Sequence, residues 1–259
     1  MIEINTIYNI DCINGLKLID DNSIDLIVTD PPFNQNKKYG DHDDLLSEDQ
    51  YKSWCNDWIK EGFRVLKDSG SFYVQINSKN MFLLHNIMNE YGIYQNACIW
   101  IKHSASITQT RRYAKNYQVW LFFTKTEKYK FYYNVEKILH RYEPYKYISN
   151  RNIDGRNADD IWEDICELSS GYLAQKEVLL DNNGCKLHLQ QMPITLPKRM
   201  ILHSSDVNDI ILDMFIGSGT SAIACLQLKR NFIGFENDVE HFKIATDRIY
   251  EYKTQIRFS

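Results

Sequence analysis

The chain has 259 residues, of which 44% are hydrophobic and 25% charged. That is an ordinary globular composition, and it excludes a disordered tail, a collagen-like chain and a disulfide-built mini-protein. A chain of this length forms one large or two small domains and buries roughly 70–75% of the surface its unfolded form exposes, so it needs no metal or crosslink to hold together; its formal net charge is −4.

The first residues mix Glu3, Asn5, Asn9, Asp11 and Asn14 among the apolar positions and contain no hydrophobic core of signal-peptide length. No later run approaches the ~18–20 apolar residues that cross a bilayer. The expectation is a cytoplasmic protein. Its six cysteines, Cys12, Cys55, Cys98, Cys166, Cys185 and Cys225, are scattered without a C-x-x-C pair and read as reduced, mostly buried thiols.

Branched apolar residues over 24–29 predict a buried parallel strand, and Asp30-Pro31-Pro32-Phe33 must end it, because two prolines cannot continue a ladder. A polar, cationic loop from Asn34 to Gly40 follows, with Lys37 and Lys38. Apolar spacing then predicts a helix over 48–66, a strand over 71–76, a helix over 79–90, and strands near 96–101 and 118–123. From 125 to 187 the pattern weakens into polar stretches such as Ser149-Asn150-Arg151-Asn152. This reads as an insertion mounted on an α/β core made of 1–124 and 188–259. A helix over 195–204 leads back to a second buried strand, 209–215, which ends in Gly217-Ser218-Gly219-Thr220. A helix over 221–229, a strand over 231–235 and Glu236 complete the run. Strand, glycine turn, helix, strand and acidic residue in that order are a nucleotide-binding half of an open, mostly parallel Rossmann-like sheet with helices on both faces.

The net charge conceals an asymmetry. Residues 101–156 hold twelve Lys and Arg against four Asp and Glu, about +8, while the remainder is about −12. Arg111, Arg112 and Lys115 lie in this stretch among Tyr113, Tyr117, Tyr129, Tyr132, Tyr133, Tyr142, Tyr145 and Tyr147. Cations interleaved with aromatic rings suit phosphate contact and base stacking; a merely solvated charged surface is the alternative.

In an open parallel sheet, ligands bind beyond the carboxyl ends of the strands, where both special turns fall. Glycines at 217 and 219 let backbone approach a ligand, and Glu236 lies 19 residues past Gly217, near the spacing of a carboxylate that grips ribose hydroxyls. The turn lacks a full G-x-G-x-x-G and is neither a phosphate-binding P-loop nor a G-x-S-x-G nucleophile turn, so alone it is also compatible with a plain strand-to-helix connection. Asp30-Pro31-Pro32-Phe33 is more specific. It builds a rigid ledge on which the Asp30 carboxylate and the Pro31 carbonyl accept the two hydrogens of an exocyclic amine while Phe33 stacks on the ring bearing it. Two fixed acceptors also stabilise the positive charge that grows on such a nitrogen as it attacks an electrophile.

D-P-P-F near the amino end with D-x-F-x-G-S-G-T near the carboxyl end resembles the beta group of S-adenosylmethionine-dependent DNA amino-methyltransferases. In that group the catalytic motif comes first, the target-recognition region second and the cofactor motif last. The resemblance spans most of the chain. It implies a methyltransferase sheet with an inserted recognition region at 125–187, S-adenosyl-L-methionine as cofactor, and Asp30, Pro31, Pro32 and Phe33 as the catalytic ledge. By the same resemblance Asp213, Phe215, Gly217, Ser218, Gly219 and Thr220 surround the methionine part, Glu236 with Asn237 beside it holds the ribose, and Asp11 and Cys12 border the adenine. Asp30 serves cofactor and target alike. The family usually has T-Q-K-P where this chain has Gln190-Gln191-Met192-Pro193, so Gln191 and Pro193 remain while the lysine is replaced by Met192. Phe33 stands where Tyr is commoner.

Asp as the first ledge residue is the form typical of adenine-N6 enzymes, and Ser of cytosine-N4 enzymes. The expectation is therefore a site-specific DNA adenine methyltransferase that flips its target base; the alternatives are a cytosine-N4 enzyme, an enzyme acting on RNA, or a non-catalytic nucleic-acid-binding subunit of the same fold. A nicotinamide oxidoreductase leaves the ledge unexplained, and the seven histidines show no metal-binding spacing. Lys37, Lys38, Arg111, Arg112 and Lys115 are the candidate DNA contacts. The resemblance also allows a homodimer and a companion restriction endonuclease.

Overall fold

The computed structural model describes residues 2–34, 46–102, 110–111, 113–138, 155–168, 177–180, 184 and 191–257. Strand β1 (Thr6–Asn9) and helix α1 (Cys12–Leu16) precede β2 (Ile24–Thr29), every residue of which is buried. Such a strand must be covered on both faces and paired on both edges. Helix α2 (Glu48–Val65) carries a buried stripe of Tyr51, Cys55, Trp58, Ile59 and Phe63, starts in a capping box between Ser47 and Gln50, and has Glu48 and Asp49 in its first turn. Then come β3 (Leu66–Ile76), α3 (Met81–Met88), β4 (Ile93–Ile101) and β5 (Tyr117–Thr124). Three short strands follow: β6 (Lys137–Ile138), β7 (Arg156–Asn157) and β8 (Ile161–Trp162). The chain closes with α4 (Thr195–Ser204), β9 (Ile210–Asp213), α5 (Thr220–Gln227), β10 (Asn231–Glu236) and α6 (Val239–Arg257).

Among the described residues eight strands form one open sheet in the order β1-β10-β9-β2-β3-β5-β4-β8, parallel except where β5 pairs with β3 and β4. Helices α1 to α3 pack Leu16, Trp58 and Leu84 against Ile27, Leu212 and Phe235 on one face. Helices α4 to α6 pack Leu196, Ile223 and Ile249 against Leu26, Ile211 and Phe232 on the other. The expected mostly parallel sheet with helices on both faces is therefore present.

Register brings the two special turns together. Leu26 pairs with Ile211 and Ile27 with Leu212, so β2 and β9 are neighbours despite their distance in sequence. From this pair the chain moves outward to β3 on one side and to β10 on the other, which opens a crevice at their shared carboxyl ends.

Differences from expectation are local. The expected strand at 71 begins at Leu66, directly after α2, because the stretch after Leu66 absorbs a register shift against β2. That shift lets Lys67 Nζ reach both carboxylate oxygens of Asp25, at 2.8 Å each, a group otherwise buried inside β2. The second buried strand stops at Asp213 rather than 215, since Asp213 turns its carboxylate back onto the Phe215 amide. Described parts of the middle segment pack on the sheet: β8 pairs with β4, and Trp100 Nε1 donates to the Ile165 carbonyl at 2.8 Å. Arg199, 2% exposed on α4, is bound by Glu136 and Asp164 of that segment. Cys12, Cys55, Cys98 and Cys225 are buried free thiols and Cys166 is exposed; Cys185 lies outside the described residues. Among the described residues no helix is long and apolar enough to cross a membrane.

Candidate active site

A cavity of about 630 Å³ opens at the carboxyl ends of β2, β9 and β10. Asp11, Cys12, Asp30, Pro31, Pro32, Phe33, Gln191, Asp213, Phe215, Gly217, Ser218, Thr220, Glu236 and Asn237 all line it, so most of the site residues expected from sequence share one space. Gly219 and Pro193 are not in its walls.

One side is the glycine turn. Gly217 (φ 51°) and Gly219 (φ 78°) occupy the left-handed region, which residues with a Cβ rarely adopt, and Gly219 starts α5 without a side-chain cap. Beneath the turn the Asp213 carboxylate is surrounded by donors: Thr29 Oγ1 at 2.9 Å, Phe215 N at 3.1 Å and the Ser221 hydroxyl. Burial nonetheless pushes Asp213 up to about 6; its hydrogen bonds oppose the shift and the nearby Glu236 adds to it. Glu236 accepts from Gly217 N and Asp238 N, at 2.9 Å each, and burial likewise holds it above the ordinary carboxylate range. Those two bonds use about half of a carboxylate's acceptor capacity, leaving the remainder for hydroxyl groups in the cavity.

Facing the turn is the proline ledge. It is held from behind: the Tyr51 hydroxyl donates to the Pro32 carbonyl and Asn80 Nδ2 to the Phe33 carbonyl, both at 3.0 Å. Among the described residues the Pro31 carbonyl accepts no hydrogen bond, which leaves it as an acceptor beside the Asp30 carboxylate. Asn34 leaves the ledge at φ 53° and is fixed by two hydrogen bonds with the Leu46 backbone. At the adenine end suggested by resemblance, Asp11 caps α1 by accepting from Ile13 N and Asn14 N at 3.1 Å. Gln191 is in the wall, but its amide is engaged with the Glu177 carbonyl and Leu179 N, so it fastens the 177–180 segment to the rim.

Several wall residues were not among those expected to hold the cofactor. Trp54 stands beside Phe215 with ring centroids 5.6 Å apart. Its place next to the Tyr51, Cys55 and Trp58 stripe of α2 looks like core, and only its partial exposure marks it as a wall residue. Met192, at the position where the family usually has lysine, also lines the cavity. Val239, Glu240 and His241 enter from α6, which the spacing of Phe242, Ala245, Ile249 and Tyr252 could have signalled.

Arg111 and Lys115 are exposed, as are Tyr117 and Tyr113, the latter 97% exposed. Lys102 Nζ sits 4.9 Å from the Trp100 ring. Lys37, Lys38 and Arg112, with the rest of the loop after Asn34, lie outside the described residues. Among the described residues no cluster of His, Cys, Asp and Glu is arranged to hold a metal ion.

The model of the N6/N4 DNA methylase family matches residues 24–247. The type II methyltransferase M.HpaI of Haemophilus parainfluenzae is 36% identical over 238 residues, which cover 92% of this chain and 71% of that protein. The DNA adenine methyltransferase YhdJ of Escherichia coli (strain K12) is 28% identical, covering 95% of this chain and 83% of that protein. Among solved structures, the M1.HpyAVI–SAM complex superimposes with a TM-score of 0.61 at 22% identity, covering 94% of this chain and 98% of that one.

Proposed function

The chain belongs to the N6/N4 DNA methylase family, and on that premise we propose that it transfers a methyl group from S-adenosyl-L-methionine to the N6 of adenine at a defined site in duplex DNA. The observation that carries this reading is the meeting of an acceptor ledge and a glycine turn across one cavity, at the carboxyl ends of adjacent strands. The choice of adenine is supported by Asp30 as the first ledge residue and by the relative that is a DNA adenine methyltransferase.

The cavity fits the cofactor on three counts. Its volume lies in the range of cofactor sites. Gly217, at φ 51°, puts backbone rather than a side chain into one wall. Asp30, Asp213 and Glu236 gather negative charge where a sulfonium cation would be held. When bound, S-adenosyl-L-methionine supplies an activated methyl group. Phe215 and Trp54 would flank it from the cavity wall, and Glu236 would take the ribose hydroxyls on its remaining lone pairs.

The ledge performs the remaining work. A base inside the duplex cannot reach the cavity, so it must be flipped out at a cost of a few kcal/mol. Stacking on Phe33, on the order of 1–3 kcal/mol for a base on an aromatic ring, offsets part of that cost. Asp30 and the Pro31 carbonyl then accept the two amino hydrogens. The positive charge growing on N6 is met by two fixed dipoles, and the proton that must leave is already hydrogen-bonded to an acceptor. Tyr51 and Asn80 keep the neighbouring carbonyls from turning into the amine's place.

The exposed Arg111, Lys115 and Tyr113 extend the reading to the DNA backbone, with Lys37, Lys38 and Arg112 as further contacts. A DNA substrate implies an intracellular location. The resemblance adds a second copy of the chain and a companion restriction endonuclease as partners, and light scattering at micromolar concentration tests the first. The direct test of the reaction is incubation with S-adenosyl-L-methionine and mixed-sequence duplex DNA, digestion to nucleosides and mass spectrometry. N6-methyldeoxyadenosine is expected. N4-methyldeoxycytidine would overturn the choice of base.

A further inference from the structure

Helix α6 does more than cover the sheet. Its Arg248, half-buried, places Nη1 2.9 Å from the Ser218 carbonyl and 3.1 Å from Thr220 Oγ1, so it donates into the glycine turn. One helical turn earlier, Ala245 is fully buried against Gly219, where a Cβ added to the glycine would come within 3.3 Å of the alanine Cβ.

The turn needs such a partner. The peptide unit joining Ser218 to Gly219 has two polar ends, and its amide donates to the Ile216 carbonyl at 2.9 Å. Gly219 is free of Cβ restraint and sits at φ 78°, so its own backbone sterics do little to hold this peptide plane. Rotation would swing the Ser218 carbonyl, break the Ile216 contact and reshape the wall formed by Ser218 and Thr220. Arg248 pins the carbonyl end, and the hydrogen bond from the Gly219 amide to the Ile216 carbonyl pins the other. Burial lowers the Arg248 guanidinium to about 10, while the Glu177 carboxylate opposes the shift. Glu177 itself accepts from Ile194 N at 2.9 Å, so the arginine's counter-charge belongs to the segment that fastens Gln191 at the cavity rim.

We propose that Arg248 is a positioning residue for the cofactor, locking the Ser218–Gly219 peptide plane so that the glycine turn is preformed to receive it. The inference rests on the cofactor reading given above, and the test separates the two. Isothermal titration of the full chain with S-adenosyl-L-homocysteine gives a Kd for the wild type, Arg248→Met, Arg248→Lys and Arg230→Met. Arg230 caps the far end of α5 through the Leu228 and Ser205 carbonyls, at 2.7 and 2.6 Å, and serves as the control for general loss of an arginine.

Loss of charge-assisted bonds to the turn should weaken cofactor binding about tenfold or more in Arg248→Met, with partial recovery in Arg248→Lys. KM for S-adenosyl-L-methionine should rise in step while kcat at saturating cofactor and affinity for mixed-sequence duplex DNA stay within about twofold. Arg230→Met should lower Tm and leave the cofactor Kd unchanged. If Arg248→Met does not fold, Arg248→Lys decides: wild-type affinity overturns the proposal and weakened affinity at wild-type Tm supports it. Unchanged affinity in Arg248→Met, or equal weakening in Arg230→Met, overturns it. A wild-type chain that binds neither S-adenosyl-L-homocysteine nor S-adenosyl-L-methionine overturns the cofactor reading itself, and the role of Arg248 with it.

Discussion

Thr29 Oγ1 donates to Asp213 Oδ1 at 2.9 Å, joining two buried residues 184 apart in sequence. Thr29 is the last residue of β2 before the ledge, and Asp213 the last of β9 before the glycine turn. The same hydroxyl accepts from Met214 N at 3.2 Å. One side chain thus sets the spacing between the proline ledge, proposed to receive the target amine, and the glycine turn, proposed to surround the cofactor.

Thr29→Val keeps a β-branched side chain of nearly the same shape and removes the hydroxyl. It leaves the Met214 amide without its partner and Asp213 with one donor fewer, a loss of roughly 1–3 kcal/mol in a buried setting. Urea unfolding should show that loss. Methyl transfer should fall further than cofactor binding, because the spacing of the two halves matters only when both are occupied.

Asp213 supplies a pH dependence with a defined sign. Its folded-state value is raised, largely by burial, to about 6 from an ordinary 3.8. Between about pH 4 and 6 the folded chain holds a proton that the unfolded chain has released, so this group makes stability fall as pH rises through that window. A cationic ligand favours the ionised form. Affinity for S-adenosyl-L-methionine should therefore increase from pH 5 to 7, more than affinity for the uncharged-sulfur product S-adenosyl-L-homocysteine. Asp213→Asn should flatten the difference.

Arg199 holds the middle segment to α4 through Glu136 and Asp164. Burial alone would raise Glu136, but the His203 imidazole 3.6 Å away and the hydrogen bonds from Arg199 outweigh it and hold the carboxyl at about 2, against an ordinary 4.5. Its contribution to stability is complete above about pH 4.5 and is lost as pH falls toward 2. Arg199→Met removes the buried cation that Glu136 and Asp164 share and should cost roughly 3–5 kcal/mol. The variant's acid-unfolding curve should also lose much of the wild type's slope below pH 4.5.

The basic segment predicts a salt effect. Replacing Arg111 and Lys115 by Glu should weaken binding to duplex DNA of any sequence and reduce the slope of log K against log salt by about one per lost phosphate contact. Circular dichroism should be unchanged, since both side chains are exposed. An unaltered slope would move the DNA footprint to another surface.

Much of this site was legible because its chemistry demands unusual residues. Consecutive prolines and an aromatic after a buried strand have few other uses, while the glycine turn, compatible alone with a plain strand-to-helix connection, gained its meaning beside them; each stands where the sequence pattern put a strand end. Trp54 and Arg248 were not legible for a physical reason: a tryptophan on an apolar helix stripe and an arginine on a half-exposed one are ordinary in sequence. They acquire roles only through which wall they meet. Gln191 shows the reverse case. Sequence put it at the cofactor, and it does reach the cavity wall, but its amide is engaged by Glu177 and Leu179.

The most direct test of the ledge is single-turnover methyl transfer from tritiated S-adenosyl-L-methionine into duplex DNA, comparing the wild type with Asp30→Ala and measuring cofactor and DNA affinity alongside. With one of two preorganised acceptors gone, transfer should fall at least about 100-fold while DNA binding is kept and the folded state is intact. Near-normal transfer by Asp30→Ala would contradict the account, because the amine would then be activated somewhere other than the ledge.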